Sequence, residues 1–170
     1  MSLSYYQVSI PVFVRMLGNL SALLDKAAAF CADRNVDESV LLNARLAPDM
    51  FPLVKQVQIA TDQAKGVGPR LAGLEPLKLD DKETRIDELK ERIATAVSYL
   101  NTIAPSALDD AADKIITMPW MPDHPMRGDF YLLHFVLPNV YFHVTTAYAI
   151  LRHNGVALGK TDYIGGIERP

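Results

Sequence analysis

Leu137-Pro138-Asn139-Val140-Tyr141-Phe142-His143-Val144-Thr145-Thr146-Ala147-Tyr148-Ala149-Ile150-Leu151-Arg152-His153-Asn154-Gly155 reads as one helix with a start, a stop and a polar residue in its apolar stripe. Pro138 suits the first turn, where a missing N–H forfeits no hydrogen bond, and Gly155 suits a left-handed stop. At about 100° per residue, Asn139, Val140, Thr146, Ala147, Ile150 and Leu151 share the face of His143. Tyr141, Thr145, Tyr148 and Arg152 fall opposite. An amphipathic helix buries its apolar stripe, so His143 points to where the other helices must pack.

Working outward, three more stretches carry the helical period. The first runs over about 12–32, with Phe13, Leu17, Leu20, Leu24, Ala27 and Cys31 three and four apart. Ser4 to Gln7 has capping-box spacing before it, and Pro11 predicts a kink or a fresh start. The second is placed at 48–66, with Pro48 in its first turn, a bend at Pro52, and Leu46, Leu53, Val57, Ala60 and Ala64 as its stripe. Asp49 and Gln56 fall about 40° and about 60° from the centre of that stripe, on one side. The third is placed at 82–102, opened by a capping box from Asp80 to Glu83 and buried through Ile86, Leu89, Ile93, Ala96, Val97 and Leu100. Arg85, Asp87, Glu88, Lys90, Glu91 and Arg92 read as a solvated face of mixed charge.

The connections are rich in proline and glycine. Segment 66–79 reads as a link with one helical turn near Arg70 to Ala72, and 105–128 as a long irregular passage. Within the latter, Lys114 to Met118 is a strand candidate with no evident partner, and Trp120 reads as a plug on the bundle. Residues 129–136 predict a short helix and 156–170 an extended tail. The expected architecture is all-α: a four-helix bundle, one domain over 1–170, with its long connection between the third and fourth helices.

Composition narrows the classes of function. A net charge of −3 over 170 residues leaves no basic footprint, so neither nucleic acid nor an anionic membrane is an expected partner. No apolar run reaches the ~18 residues of a membrane span, and no signal peptide is read at the N-terminus. The single cysteine, Cys31, lies on a buried stripe and cannot form an internal disulfide, which suits a reducing cytoplasm.

Two stretches carry a family likeness: Asn43-Ala44-Arg45-Leu46-Ala47-Pro48-Asp49-Met50-Phe51-Pro52-Leu53, and Pro138 to His143 continuing through Leu151-Arg152-His153-Asn154-Gly155. Together they resemble an uncharacterised domain-of-unknown-function family within the DinB/YfiT-like four-helix bundles. The resemblance extends nearly end to end, through Gly155-Val156-Ala157-Leu158-Gly159-Lys160-Thr161-Asp162-Tyr163. It implies a bundle whose second and third helices are joined by a crossover. Many relatives in that superfamily hold a divalent metal with three histidines, one from the second helix and two from the fourth, and several are thiol-dependent transferases or isomerases. Here His143 matches one fourth-helix position, Asn139 and Ala147 stand one turn either side, and the second helix has no histidine. The metal set that the resemblance implies is therefore degenerate.

Asp49, Gln56, Asn139 and His143 are the candidate ligand-binding residues, with His143 and Asp49 as candidate catalytic groups. Three readings of His143 stay open. It is a satisfied core histidine; or an acceptor in a small-molecule or thiol-binding bundle, oriented by Asp49; or a residual metal ligand with Asp49 in a transferase- or hydrolase-type enzyme. No cofactor is expected on the first two readings, and a divalent metal on the third. No nucleophile motif such as G-x-S-x-G is present. Tyr141, Phe142 and Tyr148 lie off the His143 stripe and predict a homodimer.

Overall fold

The computed structural model describes residues 3–167. In chain order its helices are α1 (Ile10–Arg34), α2 (Glu38–Leu42), α3 (Leu53–Lys65), α4 (Ile86–Leu100), α5 (Gly128–Phe130), α6 (Leu137–His153) and α7 (Lys160–Ile164). Strands β1 (Ile115–Met118) and β2 (Met121–Arg127) form an antiparallel hairpin between α4 and α5. The bundle consists of α1, α3, α4 and α6. α3 packs on α4 and α6, and α1 packs on the same two from the other side.

Side-chain pairs give the directions. Asp62 meets Arg92 and, further along, Gly68 meets Tyr99, so α3 and α4 run parallel. Gln56 meets His143 while Arg70 meets Tyr131, so α3 and α6 run antiparallel. Parallel neighbours in sequence need a link that travels back along the bundle. Segment 66–85 is that link, the crossover expected between the second and third bundle helices. No helix among the described residues is long and apolar enough to cross a membrane.

The periodic stripes are the core. Phe13, Leu17, Leu20, Leu24, Ala27 and Cys31 are buried on α1, and Val140, Val144, Ala147, Ile150 and Leu151 on α6. The Ser4–Gln7 box closes as its spacing predicts: Ser4 N–H donates to Gln7 Oε1 at 2.9 Å and Gln7 N–H to Ser4 Oγ at 3.2 Å. It closes a turn ahead of α1, and Pro11 occupies the first turn of the helix proper.

Element boundaries moved where a proline or a competing partner overrode the pattern. The second bundle helix begins at Leu53 and not at Pro48, because Phe51 precedes Pro52 and that position disfavours helical backbone. Pro48 and Asp49 are left on a turn, and Leu46 is exposed. The third begins at Ile86 and not at Lys82. Glu88 Oε2 accepts from the N–H groups of Thr84 and Arg85 at 2.6 and 3.1 Å, and Glu38 of α2 accepts from Ile86 N–H at 2.9 Å. Glu83, the acid expected to cap, turns instead to Arg92.

Three further expectations are corrected. The lone strand candidate has a partner in β2, which tolerates Pro122 and Pro125 because a two-stranded sheet is all edge. Trp120 stands at the hairpin tip, 59% exposed, while Met118 is the buried residue there. Within the tail expected to be extended, Lys160–Ile164 forms α7 and docks on α1, Asn19 Nδ2 donating to the Tyr163 carbonyl at 2.9 Å and Lys26 pairing with Asp162 at 2.8 Å, while 168–170 lie outside the described residues. Tyr163 packs edge-on against Tyr148, so part of the aromatic surface expected to meet a second copy is covered by the chain itself.

The turn before α6 is wide. From Gly128 the backbone stays helical, passing through a π-helical stretch at Tyr131–Val136 and into α6 without a break. Pro138 cannot donate to the carbonyl four residues back, and the local change to i+5 bonding spreads that loss over the turn before it.

Candidate functional site

His143 lies on the buried stripe of α6 where it faces the first turns of α3. Its Nδ1 is 2.7 Å from Gln56 Oε1, and Gln56 Nε2 donates to the Phe51 carbonyl at 2.9 Å. The delayed start of α3 creates this geometry, because extended backbone at Pro52 places the Phe51 carbonyl within reach of a side chain one turn into the helix. A carbonyl only accepts, so the Gln56 amide nitrogen faces Phe51 and its oxygen faces the imidazole. Nδ1 therefore carries the proton, and Nε2 keeps its lone pair.

The ring is buried but not sealed. His143 is 8% exposed and Gln56 1%. Among the described residues Nε2 has no hydrogen-bond partner, and none of their buried side-chain nitrogens or oxygens is left unpartnered, so Nε2 reaches solvent. Burial pushes the His143 pKa below its ordinary 6.5, which keeps the ring neutral at pH 7. Phe142 lies edge-on to the imidazole with 5.2 Å between centroids, and both Phe51 and Phe142 are exposed. The arrangement is an oriented neutral base, held by an amide, at the wet edge of an aromatic surface.

Gln56 and His143 come together as their helical positions predict; Asp49 and Asn139 do not join them. Asp49 is exposed on the turn between α2 and α3, off any helix, and makes no hydrogen bond to His143, whose Nδ1 is taken by Gln56. Asn139 is half-buried one turn from His143, with its Nδ2 donating to the Phe135 carbonyl of its own helix at 2.9 Å. Nearby Thr146 likewise turns its hydroxyl to the Phe142 carbonyl. For a divalent metal the donor set does not fit. No three His, Cys, Asp or Glu side chains among the described residues lie close enough to share an ion, and Gln56 Oε1 is already engaged by the imidazole.

Sequence reasoning missed a second polar centre. Arg92, assigned to the solvated face, is buried with its side chain 1% exposed. It donates to Thr61 Oγ1 at 2.7 Å and pairs with Asp62 at 2.7 Å, Glu83 at 2.9 Å and Asp81 at 3.1 Å. Burial pushes the Glu83 carboxyl up, but hydrogen bonds from Arg92 and Gln58 outweigh it and hold the group below its ordinary value. Arg92 stands roughly 80° from the centre of the α4 stripe, on its border, where period alone leaves inside and outside open. The run of acids at Asp80, Asp81 and Glu83 was the available signal.

Comparison with known proteins fits this architecture. Residues 5–164 match the family model described as Domain of unknown function (DUF1993). The chain is similar to a crystal structure of a DinB family member protein from Shewanella denitrificans, solved at 1.83 Å resolution, with 44% sequence identity. That match covers 97% of this chain and 94% of the other, with a TM-score of 0.92. No curated protein matches the chain. A family match over nearly the whole chain, joined to a DinB-type bundle with its crossover, places this protein in the DUF1993 domain family.

Proposed function

We propose that this DinB-like bundle binds a small protic molecule, a thiol or a hydroxyl compound, which gives a hydrogen bond to His143 Nε2. The observation that carries the reading is the Phe51–Gln56–His143 relay, which fixes one tautomer and aims the accepting nitrogen outward. A purely structural pair needs no such orientation of its free nitrogen. Phe51 and Phe142 supply the apolar rim that such a site uses beside a few placed polar groups. The same neutral imidazole is the natural general base if the bound thiol or alcohol reacts in a transferase or hydrolase step. A site of this kind suits a protein of a reducing cytoplasm, as does the buried single thiol of Cys31.

The test is an NMR titration of imidazole-labelled protein with 2-mercaptoethanol at pH 7. The expected result is a saturable shift centred on His143 Nε2 that disappears in His143→Ala. Shifts scattered over the surface, or unchanged in the variant, contradict the reading.

A second copy of the chain is the proposed partner, meeting through Phe51, Tyr141 and Phe142, which remain exposed after α7 has covered Tyr148. Sedimentation at micromolar concentration should give a species of twice 18.8 kDa, and Phe142→Asp should return it to 18.8 kDa. A wild-type monomer throughout rules the dimer out.

A further inference from the structure

At the other end of the α3–α6 seam from His143, roughly 14 Å along α3 by its helical rise, a cleft of about 260 Å³ lies between the end of α3 and the hairpin tip. Its lining includes Asp62, Lys65, Gly66 and Arg70 on one side, and Met118 and Trp120 on the other.

Arg70 is held in this cleft by independent features. Its Nη1 donates to Tyr131 Oη at 3.2 Å, and the guanidinium carbon lies 5.8 Å from the centre of the Tyr131 ring. Tyr131 is fully buried, so it is a fixed support. Gly66 has ordinary helical backbone, φ −61° and ψ −17°, which any residue adopts, yet a Cβ there would collide with Arg70 Nη1. The guanidinium needs that glycine; the backbone does not. Arg70 and Tyr131 also stand on the two π-helical turns, Gly68–Ala72 and Tyr131–Val136, and such turns concentrate at functional sites.

The charges leave one cation unanswered. Lys65 donates to the Leu77 carbonyl at 2.9 Å and pairs with Asp62 at 3.2 Å, and Asp62 also pairs with Arg92 at 2.7 Å. Arg70 has no carboxylate within salt-bridge reach among the described residues, and its Nε and Nη2 make no hydrogen bond there. A guanidinium offers its N–H groups in a planar fork that matches a carboxylate. Trp120, 59% exposed, contributes a flat apolar wall. The space is below the roughly 300–1,000 Å³ of drug-sized sites, and the Asp62 carboxylate disfavours a second negative charge.

We infer that this cleft binds a small aromatic monocarboxylate, its carboxylate forked on Arg70 and its ring against Trp120. Trp120 is the one tryptophan of the chain, so its fluorescence reports on the cleft alone. Benzoate should change that emission saturably, while benzyl alcohol and inorganic phosphate at equal concentrations should not. Arg70→Gln should weaken benzoate by at least about tenfold. Gly66→Ala, which keeps the charge but displaces the guanidinium, should weaken it as well. Trp120 is exposed and its replacement spares the core, so Trp120→Leu followed by calorimetry gives the same reading if Arg70→Gln fails to fold: the benzoate heat should be lost. Equal responses to benzoate and benzyl alcohol, binding of phosphate in place of benzoate, or wild-type affinity in the folded variants would overturn the assignment.

Discussion

His143 titrates against its surroundings, and the sign of that effect can be measured. Burial lowers its folded pKa below the ordinary 6.5, so between those two values the unfolded chain binds more protons than the folded one. Its contribution to stability is therefore whole above about pH 6.5, is lost as pH falls through that interval, and levels off below the folded pKa. The unfolding free energy of the native protein should fall across this range relative to His143→Asn, which cannot titrate; parallel curves would show that the ring is not buried against charge. The stripe of α6 was enough to place His143, and that of α3 enough to place Gln56, because both fall within the regular helix that carries the stripe. Asp49 was misplaced for a local reason: the Phe51–Pro52 step stops α3 one turn short of it. Asn139 was placed on the right face, but its amide satisfies a carbonyl of its own helix.

At the scale of elements, buried ion pairs decide where α4 begins and how it meets α3. Arg92 removes Glu83 from the cap that its spacing predicts, and Glu38 and Glu88 take over the free N–H groups. Replacing Arg92 by Met leaves Glu83, 9% exposed, without its guanidinium. Breaking a buried pair costs about 3–5 kcal/mol. The lower end is expected here, because Asp62 and Asp81 keep Lys65 and Lys55 as partners. Urea unfolding of Arg92→Met measures it, and a loss under about 1 kcal/mol would make the network a surface one. Neither this centre nor the Arg70–Tyr131 contact was legible in the sequence. Both join residues far apart in the chain, and both depend on π-turns or stripe borders that a 3.6-residue period does not resolve.

For the whole molecule, two parallel helices joined by a long return segment give the bundle two ends of different character. One end holds an uncharged base among aromatic side chains, at His143; the other holds an unanswered cation beside Trp120, at Arg70. The four bundle helices, the core stripes and the family were legible because apolar period and near end-to-end resemblance need no long-range contacts. The second strand of the hairpin and the helical tail were not, since Pro122, Pro125 and the glycines of the tail argue locally against both. The most direct test of the proposed site is the long-range ¹H–¹⁵N spectrum of the imidazoles at pH 7, for the native protein and for Gln56→Leu. The expected result is a neutral His143 ring protonated at Nδ1 only, becoming a mixture of tautomers in the variant. A ring protonated at Nε2, or charged at pH 7, would contradict the outward-facing base.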